Sequence, residues 1–445
     1  MKAATAAELA AEMPSTVTPG SEFTVRVRLA RQELAPTEGT VHAAQTVHID
    51  AERPVSVQVY AKDNVQVLER DAKVFGLPAG DWASELTFRA RALAAGPVRV
   101  SVVLRQGRVP VATLTLEATA AAAGLAAPVP VTAAVHTGID APELDGLPCL
   151  DIVEGRRVTG ERVYSYALRL VPGEPERIFE SAPIMGRDDF VRDRIAEVER
   201  VIKDPDLTPR QRMSQLQNTG TMLFDQFFPE DMQAYLWEHR DLVHDLIVYT
   251  DEPFVPWELV HLKPARGKRG TTPRFLASGG LVRWQLGSFP PQHVRVRRGH
   301  ARSICPVYAD PMFKNDVGAV EAGFLRDRFG AKAVPATPTG VERLLRGGGF
   351  DLLHFSGHGA ARSDDIAEAK VLLQGQRRGS TVRQQYLSAT DVSENLDWTG
   401  PDRIGPLVVL NACQTGRSGE LFTTVGGFAK AFLDAGASAF VSCLW

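Results

Sequence analysis

The sequence has few cysteines and no long run of apolar residues. The four cysteines among its 445 residues (Cys149, Cys305, Cys413 and Cys443) show no CxxC spacing, which excludes a zinc knuckle and a dense disulfide framework. No apolar stretch approaches the roughly 20 residues that a membrane-spanning helix needs. The amino terminus also lacks the continuous apolar segment of a signal peptide. We therefore predict a cytoplasmic protein with reduced thiols and no membrane partner.

A strong charge of either sign is also missing. The net charge is −3, with 44% hydrophobic and 23% charged residues. This composition is typical of soluble globular proteins, and the length favours two to three domains. A near-neutral protein has no electrostatic reason to bind nucleic acid, so we expect no nucleic-acid partner.

Apolar and polar residues alternate with a period of two in the first 120 residues. The segment from Glu22 to Ala30, EFTVRVRLA, is one of several such segments separated by turn residues. This pattern is typical of half-buried strands. Roughly seven short strands predict an all-β, immunoglobulin-like sandwich at residues 1–120, which we interpret as a recognition domain. The Ala- and Pro-rich stretch that follows predicts a linker at 121–137.

Strands and helices alternate in the rest of the chain. A strand pair and a helical periodicity from about Asp188 to Arg240 predict an α/β region at 138–297. After residue 298, apolar strands alternate with helices up to residue 445. Strands that are buried on both faces imply a mostly parallel sheet with helices on its two sides.

Two apolar runs of this last region end in residues that can carry chemistry. His358 lies between Gly357 and Gly359 after one run, and Cys413 follows the run LVVLNA. Functional residues of open parallel sheets gather beyond the carboxyl ends of the strands. If the two strands are neighbours, His358 and Cys413 share one crevice. His358 precedes Cys413 by 55 residues, and caspase-type signatures have roughly 50 between the two.

This arrangement predicts a cysteine nucleophile with a histidine base. Cys413 would attack a carbonyl carbon, while His358 takes the thiol proton and later protonates the leaving amine. Gly357 and Gly359 would turn the backbone sharply, and the amides of Gly359 and Cys413 would form an oxyanion hole. The alternative for each residue is structural, because a lone cysteine is usually a small buried hydrophobe and a lone histidine a packed residue.

The histidine spacing does not indicate a metal site. His354 and His358, four residues apart on a strand, lie roughly 13 Å apart, which is too far for one ion. We predict no metal and no cofactor, and we interpret His354 as a packed strand residue or a support of the site.

Taken together, three motifs resemble the CHAT family of bacterial caspase-like cysteine peptidases. They are HFSGHGA, VVLNACQTG and GFAKAFLDAGASAFVSCLW. The segment FVPWELVHL, which begins at Phe254, resembles a Pro-Trp-Glu-Leu segment of the family's amino-terminal half. The resemblance covers about Ile178 to Trp445 and implies that His358 is the general base and Cys413 the nucleophile.

The resemblance also implies a three-layer caspase-like fold. Residues 138–297 would be the pseudo-caspase-like half of the CHAT region, and residues 298–445 the catalytic half. Family members usually continue beyond this point with helices and a further strand. We therefore expect a catalytic half that is truncated at Trp445, as a fragment, as a processed form, or as a chain completed by another polypeptide.

A further hypothesis concerns substrate preference. In related folds, the residue that ends the first strand of the caspase-like unit lines the primary specificity pocket (S1). We expect Asp310 at that position, where its carboxylate would select Arg or Lys before the scissile bond. The alternative is that Asp310 is a turn residue before Pro311.

The resemblance predicts an endopeptidase that cleaves a partner protein once triggered, in bacterial defence or regulated cell death. The amino-terminal sandwich would bind an activating partner. One alternative is a catalytically silent pseudopeptidase, or scaffold, that signals through protein binding. Another is a cysteine amidase or acyltransferase on a similar dyad.

Overall fold

Strands dominate the first 120 residues of the structure, a computed structural model. Two sheets are present there: one has the strand order β4-β1-β3-β8-β6, and the other contains β5, β7, β9, β10 and β2. Side chains from both sheets, including Val27 and Val57, are buried in one shared core. The strands are β1 Thr5–Pro14, β2 Thr16–Val17, β3 Glu22–Ala30, β4 Thr40–Ile49, β5 Val55–Asp63, β6 Val65–Val67, β7 Lys73–Phe75, β8 Ser84–Ala92, β9 Gly96–Gln106 and β10 Val109–Ala120.

The alternating segments therefore form strands as predicted, and their apolar positions make the core. β2, β6 and β7 have two or three residues each, too few for a period of two to reveal them. The immunoglobulin-like class of this strand-rich region stays a prediction.

The structure describes residues 5–121, 146–171, 174–252, 254–264, 274–286, 294–360, 370–396, 398, 405–413, 428–429, 431–433 and 435–442. The predicted linker at 121–137 lies outside these ranges beyond its first residue. Two compact units divide the chain: Met1–Asp189 with Met213–Phe289, and Phe190–Arg212 with Pro290–Trp445. The domain boundaries that the sequence suggests at 120, 137 and 297 stay predictions. No helix within the described ranges is both long and apolar enough to cross a membrane.

The first unit continues the second sheet with strands that follow the linker. β11 lies between β12 and β5 in this sheet and also pairs with β14. These strands are β11 Cys149–Arg156, β12 Arg162–Arg169, β13 Arg177–Glu180, β14 Leu246–Thr250 and β17 Leu281–Gln285, with a separate pair β15 His261–Leu262 and β16 Arg274–Phe275. The helices of the middle region are α1 Arg187–Lys203, α2 Pro209–Phe227 and α3 Glu230–Glu238.

A buried ionic cluster joins the strand-rich region to β11 inside this unit. The carboxylate of Asp151 accepts hydrogen bonds from Arg105 at 2.5 Å and from the Tyr60 hydroxyl at 2.7 Å. Asp151 and Arg105 are almost completely buried. Trp257, from the segment that resembles the family's Pro-Trp-Glu-Leu stretch, is also buried and packs edge-on against Phe227. Within the structure, that tryptophan is a core residue.

The second unit contains the predicted parallel sheet, with the strand order β19-β18-β20-β25-β26. Beyond residue 358, β20 also pairs with the antiparallel strand β21, which pairs with β24. The strands are β18 Ala301–Ile304, β19 Lys332–Ala333, β20 Leu352–Ala360, β21 Lys370–Leu372, β22 Gln376–Arg378, β23 Thr381–Arg383, β24 Tyr386–Ser388, β25 Leu407–Cys413 and β26 Ala439–Ser442. The helices are α4 Asp316–Phe329, α5 Pro338–Gly347 and α6 Ala389–Asn395.

Helices cover both faces of this sheet. Leu353 and Phe355 of β20 face a core shared with α5 and α6, whereas Leu352 faces Leu325 of α4. Successive strand residues point to opposite faces, so apolar neighbours such as Leu352 and Leu353 are needed where a strand is buried on both sides. The prediction of an α/β region with a mostly parallel sheet is confirmed, and its caspase-like class stays a prediction.

Candidate active site

His358 and Cys413 are directly opposite each other on neighbouring parallel strands. The ladder between β20 and β25 runs from Leu352 opposite Leu407 to His358 opposite Cys413, which is its last pair. Neighbouring strands lie about 4.8 Å apart. The structure therefore brings the two predicted residues together at the carboxyl end of the sheet, where functional residues of such sheets lie.

The imidazole of His358 is fixed in one orientation. Its Nε2 lies 3.0 Å from the carbonyl oxygen of Phe313. A carbonyl accepts and does not donate, so Nε2 carries the proton in the neutral ring. Nδ1 is buried and has no hydrogen-bond partner among the residues that the structure describes. The unprotonated Nδ1 of the neutral ring has a free lone pair, as a general base requires.

Tyr308 fixes the backbone beside the imidazole. The His358 N–H donates a 2.8 Å hydrogen bond to the Tyr308 hydroxyl, which donates to the carbonyl of Leu372 at 3.3 Å. Burial raises the pKa of Tyr308 to about 12, so the hydroxyl stays protonated at neutral pH. The rings of Tyr308 and Phe313 lie 5.2 and 5.6 Å from the imidazole, measured between centroids.

The predicted sharp turn at Gly357 and Gly359 is wrong. β20 continues through both residues to Ala360, and neither has a positive φ. Gly357 has a different reason to be glycine: a Cβ there would lie 2.4 Å from the Tyr308 hydroxyl oxygen. The missing side chain allows the tyrosine to reach the amide of His358. Gly359 lies in register with Val371 of β21, so both amides of the predicted oxyanion hole belong to strand residues.

Asp310 does not end a strand, because β18 ends at Ile304. It precedes a short 3-10 turn at Pro311–Phe313, and its Oδ1 accepts a 3.0 Å hydrogen bond from the amide of Met312. Asp310 is thus a turn residue before Pro311, which is the alternative that the sequence analysis gave. The same turn places the Phe313 carbonyl on His358. The S1 role of Asp310 stays a prediction.

Four rows of the ladder before the pair His358–Cys413, His354 lies in a small polar cluster. Its Nε2 is 3.4 Å from Oε2 of Glu321 on α4, and burial lowers the pKa of His354. The other carboxylate oxygen of Glu321 accepts a 2.6 Å hydrogen bond from Asn411 of β25. In the described part of the chain, no group of three or more His, Cys, Asp or Glu residues is arranged to hold a metal ion.

Sequence reasoning missed three groups around the candidate site. The oxygen of Phe313 is a backbone atom, so no residue type signals it. Tyr308 precedes His358 by 50 residues, and nothing in its local pattern indicates a contact with the site. Glu321 lies within a helix and reads there as an ordinary surface acid. These three contacts depend on how the elements pack, which the sequence pattern alone does not specify.

Two family models match the chain. Residues 11–116 match a domain of unknown function (DUF7363), and residues 317–445 match the CHAT domain. No curated protein matches the chain. Among solved structures, a conjugative transposon lipoprotein from Bacteroides eggerthii DSM 20697 is 14% identical and covers 24% of this chain and 89% of its own, with a TM-score of 0.14. A TM-score this low carries no argument about fold. The predicted resemblance is thus confirmed for residues 317–445: this part of the chain is similar to the CHAT family, which is related to caspase-like peptidases.

Proposed function

We propose that this protein is a caspase-like cysteine endopeptidase with Cys413 as nucleophile and His358 as general base. The observation that carries the proposal is the register of β20 and β25, which pairs His358 with Cys413 at the end of the ladder. The match of residues 317–445 to the CHAT domain supports the same reaction class.

The contacts of His358 support its role as the base. With Nε2 donating to the Phe313 carbonyl, Nδ1 is the nitrogen that accepts the proton of the Cys413 thiol. The thiolate then attacks the scissile carbonyl carbon and forms a thioester, while protonated Nδ1 passes its proton to the leaving amine. Water, deprotonated by the same nitrogen, hydrolyses the thioester and restores the thiol.

The imidazolium that forms in this cycle retains its partner. Nε2 lies 3.0 Å from the Phe313 carbonyl oxygen and carries a proton in both the neutral and the protonated ring. His358 therefore needs no rotation between taking the thiol proton and protonating the leaving amine. We further propose that the amides of Gly359 and Cys413 stabilise the oxyanion, because two backbone donors at a strand end suit a developing negative charge.

The proposed substrate is a partner protein, and Asp310 is the proposed S1 residue, selecting Arg or Lys. The amino-terminal region at residues 1–120, of which 11–116 match the domain of unknown function, is the proposed site for an activating partner. A role in bacterial defence or regulated cell death is supported by the family resemblance alone. Cytoplasmic localisation and the absence of nucleic-acid and membrane partners remain predictions from the composition.

The proposal is tested by incubating the protein with a broad peptide pool and identifying the products by mass. Wild type should cut, whereas Cys413→Ala and His358→Ala should lose activity by a factor on the order of 10³ or more. Cys149→Ala is the control, because it removes a thiol of the first unit, and it should cut like wild type. The residue before the cleaved bond tests the Asp310 hypothesis.

Each of the competing functions predicts a different result. Turnover of small amides without peptide cleavage would favour an amidase or acyltransferase. Absence of cleavage from every substrate, including candidate partner proteins, together with an unreactive Cys413, would contradict the proposal and favour the scaffold.

A further inference from the structure

The carboxylate of Glu321 contacts both strands that carry the dyad. Oε1 accepts a 2.6 Å hydrogen bond from Asn411 of β25, and Oε2 lies 3.4 Å from Nε2 of His354 on β20. Glu321 comes from α4, the helix on this face of the sheet, and its side chain is 29% exposed. Partial burial of a carboxylate is costly unless polar partners compensate. Asn411 donates to Oε1, whereas Oε2 is buried next to His354 and has no hydrogen-bond partner among the described residues.

These contacts lie just before the end of the ladder. Asn411 is in register with Ser356, and His354 with Val409, so the carboxylate spans the rows that precede His358 and Cys413. Two residues along a strand correspond to about 7 Å. Glu321 is therefore too far along the strands to exchange a proton with the reacting atoms, but near enough to restrict the strand ends.

The neighbouring groups favour a fixed carboxylate. His354 is neutral near pH 7, because burial lowers its pKa, so its 3.4 Å contact with Oε2 is not an ion pair. Cys305 also faces Glu321, and burial together with this carboxylate raises the pKa of its thiol. On the same side, the Asn315 side chain donates a 2.9 Å hydrogen bond to the carbonyl of Ser356. Side chains from outside the sheet thus restrict β20 and β25 beyond their shared ladder.

We propose that Glu321 is a positioning residue for the dyad, because its carboxylate accepts a hydrogen bond from Asn411 of β25, lies against His354 of β20 and restricts fraying at the pair His358–Cys413. The proposal rests on the proposed function. Ladder ends open more easily than ladder centres, and His358–Cys413 is the terminal pair. A shift of about 1 Å between nucleophile and base can reduce the rate about 100-fold.

The test compares variants of the full chain in peptide cleavage. Glu321→Ala should lower kcat about 10- to 100-fold with little change in KM, because it disturbs the reacting pair and not substrate binding. Glu321→Gln should stay within about threefold of wild type, because its amide oxygen can still accept from Asn411 and its side chain has nearly the same shape. Asp327→Ala, which removes an exposed acid of the same helix, should cut like wild type.

A double-mutant cycle tests whether Glu321 affects kcat through its hydrogen bond with Asn411. If Glu321 acts through Asn411, Glu321→Ala combined with Asn411→Ala should lose no more activity than the worse single variant. The alkylation rate of Cys413, resolved by mass spectrometry, is the readout that needs no substrate. It should fall in Glu321→Ala and recover in Glu321→Gln, whereas a purely structural residue would change the melting temperature and leave the labelling of the folded protein unaltered.

The outcomes separate the two proposals. If wild type neither cuts peptides nor labels faster at Cys413 than at Cys305, the proposed function fails and Glu321 has no dyad to position. If wild type is active and Glu321→Ala keeps its kcat and labelling rate within twofold, the function stands and the positioning role is overturned. If Glu321→Ala does not fold, Asn411→Ala decides, because it keeps the carboxylate: wild-type kcat in that variant would also overturn the role.

Discussion

Replacing Gly357 with alanine should disturb the site without touching either proposed catalytic side chain. The backbone at Gly357 has no positive φ, so alanine meets no conformational barrier there. Its Cβ would instead lie 2.4 Å from the Tyr308 hydroxyl and 2.9 Å from a ring carbon of Phe355. The tyrosine must move, and its hydrogen bond with the amide of His358 must lengthen or break.

The expected cost follows from two opposing effects. Inserting a methyl group into a packed site costs about 1–3 kcal/mol, and an alanine gains about 0.4–1 kcal/mol over glycine through the unfolded chain. We expect Gly357→Ala to lower the free energy of unfolding by about 1–2 kcal/mol. Because the displaced Tyr308 holds the backbone of His358, kcat should also fall, by about tenfold or more.

Tyr308→Phe provides the matching half of a double-mutant cycle. Alone, it leaves the amide of His358 without its acceptor, at a cost of about 1–3 kcal/mol. In the double variant the new methyl group meets no hydroxyl. The double variant should therefore lose less stability than the sum of the losses in Gly357→Ala and Tyr308→Phe. Gly347→Ala is the control, because nothing lies within 4 Å of a Cβ at that position.

Hydrogen exchange of peptides from β20, read by mass spectrometry, measures the local stability of the second unit. Peptide cleavage measures the effect on the site. If Gly357→Ala matches Gly347→Ala in both exchange and kcat, the close approach of Tyr308 has no role in positioning His358, and the reasoning is refuted.

Two further predictions concern stability. Asp151→Ala leaves the buried guanidinium of Arg105 without its carboxylate and should destabilise the first unit by about 3–5 kcal/mol; an unchanged urea midpoint would contradict this. Burial lowers the pKa of His354, so the unfolded chain takes up that proton first, and the free energy of unfolding should fall as the pH drops below about 6.5. His354→Asn should lose part of this slope in urea titrations between pH 7 and 5, and an identical slope would refute the assignment.

The pattern of apolar and polar residues was sufficient to predict the strands on which the candidate site lies. Period-two alternation predicted β3, and the apolar runs predicted β20 and β25 as strands of a parallel sheet, since a strand buried on both faces needs apolar residues throughout. The pairing of His358 with Cys413 followed once the two strands were neighbours. The sequence could not predict that β20 and β25 are neighbours, because strand order depends on long-range packing.

The contacts around His358 could not be predicted from the sequence, for a physical reason. Gly357 suggested a turn, because glycine is common in turns, whereas the structure uses the missing side chain to admit Tyr308. The Phe313 carbonyl belongs to the backbone, and its direction comes from the short turn that Asp310 caps. Local propensity describes each residue with its chain neighbours, and these contacts join residues that are distant in sequence.

The most direct test of the central claim is the alkylation rate of Cys413 as a function of pH, measured peptide by peptide on the full chain. Cys305 is the internal comparison, because burial raises the pKa of its thiol and an undissociated thiol reacts slowly. If His358 and Cys413 form a dyad, Cys413 should label much faster than Cys305 near pH 7, and His358→Ala should remove most of that advantage. Equal rates at the two cysteines, or a fast rate at Cys413 that His358→Ala leaves unchanged, would contradict the dyad.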